Sequence, residues 1–69
     1  SREPPRVKFL VHFGGGELSR ALKAVDEHAV GTCELSPCEN LDETERLARE
    51  KGAGAVLVLE KGTERVVQL

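Results

Sequence analysis

Two short runs of the chain are apolar at both odd and even positions, and they restrict the fold more than anything else. Val7-Lys8-Phe9-Leu10-Val11-His12-Phe13 has five apolar side chains in seven positions, and Ala55-Val56-Leu57-Val58-Leu59 is apolar throughout. A strand turns successive side chains to opposite faces, so such a run needs cover on both sides. That is the condition of an inner strand of an α/β sheet, with helices on either face. Nine Leu, eight Val, six Ala and two Phe must build that core, because Ile, Met, Trp and Tyr are absent. At 69 residues the chain has room for one small domain.

The segments between these runs are helices and weaker strands. Gly14-Gly15-Gly16 ends the first run, and Glu17 opens a helix that reaches His28 or Ala29. Leu18, Ala21, Leu22 and Val25 recur at helical spacing and make one apolar stripe, with Arg20, Lys23, Asp26 and Glu27 turned to solvent. Val30-Gly31-Thr32-Cys33-Glu34-Leu35 alternates apolar and polar, as an edge strand does, and Pro37 stops it. Asn40 is a helix N-cap with Glu43 in the capping-box position. The helix from Leu41 to Lys51 follows, with Leu41, Thr44, Leu47 and Ala48 inward and Gly52 as its stop. After the second apolar run, Glu60-Lys61-Gly62-Thr63 is a tight turn and Glu64 to Leu69 a half-polar return strand.

The order is β-α-β-α-β-β. Placing the apolar strands in the middle gives a mixed four-stranded sheet of order 2-1-3-4, with strand 4 antiparallel. Right-handed crossovers to left and then right put the two helices on opposite faces. The expected fold class is α/β, a three-layer α-β-α sandwich spanning residues 7–69. Residues 1–6, with Pro4-Pro5, are read as a linker or tag remnant.

Charge and composition exclude several partners. Ten Lys and Arg against twelve Asp and Glu give a net charge of -2, which argues against DNA bound by charge. No apolar run approaches ~18 residues, so no membrane span is expected, and no signal-like leader is seen. Cys33 and Cys38 are too few for a disulfide scaffold. The expectation is a cytoplasmic chain with reduced thiols. The half-polar edge strands leave a homodimer open.

Cys33-Glu34-Leu35-Ser36 leading into a charged helix, and then the run Leu47-Ala48-Arg49-Glu50-Lys51-Gly52-Ala53-Gly54-Ala55-Val56-Leu57-Val58-Leu59, carry a family resemblance. Together with the element order they are similar to the C-terminal anticodon-binding domain of class II aminoacyl-tRNA synthetases. The likeness covers Val7 to Leu69 and is nearest to histidyl-tRNA synthetase and to its non-charging paralogue, the regulatory subunit of ATP phosphoribosyltransferase. The resemblance implies a module without catalysis of its own, docked to a parent catalytic domain or protein partner, with tRNA as a further partner. In the synthetases the domain continues into another helix and strand, and its turn is longer than Glu60 to Thr63. The abbreviated ending looks more like the regulatory paralogue, in which anticodon reading is no longer the task. No residue here matches an anticodon contact, so none is carried over.

Read from the residues themselves, the candidate site lies at the carboxyl ends of the two central strands, where ligands of open α/β sheets bind. His12 to Gly16 flank that crevice on one side and Glu60 to Gly62 on the other. Gly14, Gly15 and Gly16 stand between a strand and a helix, where backbone amides can hold a small anion or nucleotide phosphate. The dinucleotide pattern counted from Gly14 passes Gly16 but meets Ser19 where its last glycine belongs, and Glu17 repels anions. The plainer reading is a tight turn. His12 stands at a strand end, where it is either an acid, base or phosphate contact or an ordinary half-exposed histidine. Lys61 stands on the opposite lip of the crevice. Cys33 and Cys38, with His12 or His28, lack the spacing of a structural zinc site, and the plainer reading is a buried thiol and a loop thiol. No nucleophile, base and orienting acid can be assembled, so the expectation is not an enzyme, with no cofactor and no metal. Arg46, Arg49 and Lys51 alternate with acids, and an RNA surface would add exposed aromatics that this chain lacks.

Overall fold

The structure is a computed structural model and describes residues 6–69. Apart from Arg6, which is exposed and in no regular element, the leader read at residues 1–6 lies outside the described residues. In chain order the elements are β1 (Phe9–Phe13), α1 (Leu18–Asp26), β2 (Cys33–Leu35), α2 (Leu41–Glu50), β3 (Ala55–Glu60) and β4 (Thr63–Gln68). They form one four-stranded sheet of order β2-β1-β3-β4. β1 runs parallel to both neighbours, Leu10 facing Glu34 on one side and Val56 on the other. β4 returns antiparallel to β3. The apolar runs are therefore central, and the expected architecture is the observed one.

Parity divides the core between two faces. Leu10, Val56 and Val58 meet Ala48 of α2 and Ala53, while Val11 and Leu59 meet Ala21 and Ala24 of α1 together with Cys33. α1 lies over β1 and β2, and α2 over β1 and β3. A helix must cross toward the strand it leads into. On the α1 side this leaves the β3–β4 half of the sheet without a helix.

Three local readings change. The first strand begins at Phe9, because the Lys8 and Phe9 amides both donate to the Thr32 carbonyl, at 2.7 and 3.1 Å, instead of entering a regular ladder. The second strand keeps only Cys33 to Leu35. Ala29 to Thr32 close a turn (Thr32 N to Ala29 O, 3.0 Å) with Gly31 at φ 84°, and Val30 is left 93% exposed. Positive φ at the third turn position belongs to a type II turn and cannot continue a strand. The third change is the face of α1. Ala21 and Ala24 are buried, whereas Leu18 and Leu22 are 52% and 49% exposed. The helix rests on its small residues, which let it approach the sheet closely, and its leucines lie at the margin.

α2 follows its sequence signals closely. Asn40 is extended (φ -104°, ψ 133°), and its side chain accepts from Glu43 N. At the other end Gly52 takes φ 77°, Gly52 N donates to Arg49 O at 3.1 Å and Ala53 N to Ala48 O at 2.9 Å. This is the Schellman pattern, in which glycine supplies the left-handed residue. Asp42 with Arg46, Glu45 with Arg49 and Arg46 with Glu50 are opposite charges at i, i+4 spacing, and of these Glu45 with Arg49 is the pair within reach among the described residues, at 3.7 Å.

The β3–β4 connection is a two-residue turn. Lys61 and Gly62 both have positive φ, 45° and 77°, as a type I′ hairpin requires. Lysine at the first position carries the steric cost of the left-handed region. Lys61→Asn should therefore raise the unfolding free energy by about 0.5–1 kcal/mol. A urea midpoint that stays put or falls would show that this backbone is not strained.

Candidate functional site

The carboxyl ends of β1 and β3 are joined by backbone and by one carboxylate. Gly14 N donates to Leu59 O at 3.0 Å, and Glu17 N to Gly14 O at 3.1 Å, with Gly16 at φ 83°. The glycine loop is thus a turn pinned to the end of β3. Glu17 is 9% exposed. Its carboxylate does not cap α1. It is ion-paired with Arg20, and it accepts from Gly62 N at 3.2 Å across the molecule. Glu17 therefore ties the start of α1 to the hairpin turn and brings negative charge to the loop read as an anion seat. Gly15, Gly16 and Lys61 are exposed, and Gly14 is half-buried.

His12 does not share that site. Its parity directs it to the α2 face, where it is 7% exposed. His12 Nδ1 lies 2.9 Å from Thr44 Oγ1, and Thr44 Oγ1 lies 2.7 Å from Ser36 Oγ. Ser36 Oγ also accepts from Cys38 N at 3.1 Å. Thr44 is fully buried and Ser36 is 6% exposed. The result is a polar chain that links β1, the loop after β2 and the first turns of α2. With every buried side-chain polar atom of the described residues paired, it is satisfied rather than poised. The crevice residues thus separate into an exposed set (Gly14, Gly15, Gly16 and Lys61) and a buried histidine. Sequence reasoning missed Ser36 and Thr44. The available signal was a threonine on the inward stripe of α2 opposite a histidine of matching parity.

A second concavity was also missed. On the uncovered half of the α1 face, Phe9, Leu57 and Val66 floor a groove of about 200 Å³, rimmed by Glu27 and Glu64. His28 packs against Phe9 in a tilted arrangement, with ring centroids 5.1 Å apart and planes at 57°, and its Nδ1 lies 2.7 Å from Ala24 O. The strand order 2-1-3-4 implies this groove, because α1 crosses away from β3 and β4.

The cysteines are both free, Cys33 buried and Cys38 half-buried. Burial pushes the Cys33 thiol above its ordinary pKa, and the charge of Glu34 adds to the effect. A protonated, buried thiol is a core side chain rather than a nucleophile. Among the described residues, no three His, Cys, Asp or Glu side chains converge to hold a metal ion. No described helix is long and apolar enough to cross a membrane.

No protein-family model matches the sequence, and no curated protein matches it. Among solved structures, the chain is similar to apo histidyl-tRNA synthetase of S. aureus, with a TM-score of 0.63 and 12% identity over 91% of this chain. The shared property is the fold. At that level the likeness bears out the resemblance read from residues 33–36 and 47–59. The chain spans 24% of the length of that synthetase. The shared fold is thus one part of that larger enzyme.

Proposed function

We propose that this α/β domain is a non-catalytic docking module with a regulatory or interaction role, working beside a parent catalytic domain or a protein partner in the cytoplasm. The observation that carries this reading is the fold match, in which 91% of this chain superposes on a quarter-length portion (24%) of a tRNA synthetase. A unit that constitutes a modest share of a larger enzyme acts through what it is attached to. The surface supports docking over nucleic-acid capture. Both phenylalanines, Phe9 and Phe13, are half-buried and packed against the core, so neither stands out from the surface as a stacking platform for a base. The basic residues of α2 are interleaved with acids, and the net charge is -2.

The second reading is a tethered domain that contacts the anticodon region of tRNA, and the synthetase likeness favours it. A titration with tRNA at about 50 and 200 mM salt separates the two, because phosphate contacts release counterions and weaken steeply as salt rises. Docking predicts no salt-suppressed association. Binding at low salt that falls by orders of magnitude at the higher salt would replace the docking reading with the tRNA one.

A further inference from the structure

β4 pairs with β3 along its whole length, from Thr63 to Gln68. Among the described residues no strand lies on its other side. The ladder fixes which groups are free there. One step beyond the Ala55↔Gln68 pair, Leu69 N donates to Gly54 O at 3.1 Å. Antiparallel partners alternate between bonded and non-bonded pairs, so residues 63, 65, 67 and 69 turn their amides and carbonyls toward β3. Glu64, Val66 and Gln68 turn theirs outward. The strand has no proline, its register has no bulge, and all of its side chains but Val67 are exposed. The opposite edge, β2, has only three residues. A long, uninterrupted edge is a template for another strand.

We infer that β4 pairs antiparallel with β4 of a second copy of this chain, about a two-fold axis at Val66, joining two sheets into one. The charge pattern selects this register. With the axis at Val66, Val66 meets its own mate, Glu64 faces Gln68 of the second copy and Arg65 faces Val67. The three outward-facing residues then form about six ladder hydrogen bonds. Each Arg65 keeps its Glu60 partner, 3.6 Å away on its own chain. An axis at Glu64 or at Arg65 sets two like charges directly opposite each other, which is destabilising. An axis at Val67 keeps only about four of the bonds. The Val66 register alone satisfies the outward groups of Glu64, Val66 and Gln68 together, and it covers a valine that is 54% exposed in the single chain. The pairing is isologous and closes at two copies.

Sedimentation equilibrium of the chain from micromolar to millimolar concentration tests this. The expected result is a reversible monomer–dimer equilibrium. Val66→Pro removes an amide that points away from β3, so it should abolish the dimer and leave the fold, monitored by circular dichroism, intact. Gln68→Lys should tighten the dimer about tenfold through two symmetric pairs with Glu64, and Gln68→Glu should loosen it by a similar factor. Added salt should bring these two variants together. Should Val66→Pro unfold the chain, the exposed Gln68 pair decides the matter alone. A chain that stays monomeric at millimolar concentration overturns the inference. So does a dimer whose affinity is the same in the wild type and both Gln68 variants.

Discussion

Leu10→Ala should cost about 2–5 kcal/mol, while Leu22→Ala should cost about 1 kcal/mol or less. Leu10 is fully buried between α2 and the centre of the sheet, against Ala48, Val56 and Val58. Removing its side chain forfeits the transfer free energy and leaves a cavity that the paired strands cannot close, since β1 is held on both sides. Domains of this size have small stability margins, so the substitution removes a large share of the total. Leu22 belongs to the same residue class and falls on the apolar stripe of α1, but it is 49% exposed. Urea midpoints of the two variants compare the sites directly. Equal losses would mean that α1 is turned by roughly a quarter from the face described here.

Thr44→Val should cost about 2–3 kcal/mol, although it changes the shape of the side chain very little. Thr44 is fully buried and links His12 Nδ1 at 2.9 Å to Ser36 Oγ at 2.7 Å. Valine fills the volume, leaves His12 Nδ1 without its partner and leaves Ser36 Oγ with the Cys38 amide alone, and unpaired buried groups lose their full desolvation cost. Thr44→Ser, which keeps the hydroxyl, should lose less of the polar linkage. A second change, Ser36→Ala in the Thr44→Val background, should cost less than it does alone, because its partner has already gone. Calorimetric or denaturant unfolding of the four variants measures that coupling. Additive losses would show that the three side chains do not act as one unit.

The large features were legible because they rest on periodicity and parity. The Val7–Phe13 and Ala55–Leu59 runs marked the inner strands, and the polar alternation after Val30 marked an edge. Asn40 and Gly52 marked the ends of α2, where capping chemistry is local and needs no tertiary knowledge. What was not legible depends on who packs against whom. On α1 the periodic count favoured Leu18 and Leu22 over Ala24, yet the closest approach to the sheet was made by alanines. Volume, not hydrophobicity, decided which face turned inward. His12 was placed at the crevice because position along a strand can be read from sequence, but the face it occupies depends on register and on Thr44. Glu17 was read as a residue of the first helical turn. Its contact with Gly62, 45 positions away, is one that no local pattern announces.

The two inner strands, β1 and β3, are separated in the chain by α1, β2 and α2 and lie directly against each other. Bringing such distant segments together closes a large loop before any contact rewards it, and folding slows accordingly. On the ribosome, β1 emerges first and must wait for β3 until α1, β2 and α2 have been synthesised. Through that interval its apolar sides have only α1, the short β2 and, at the end, α2 for company. A nascent chain of this topology is therefore most open to chaperone capture or aggregation just before the β3–β4 hairpin emerges.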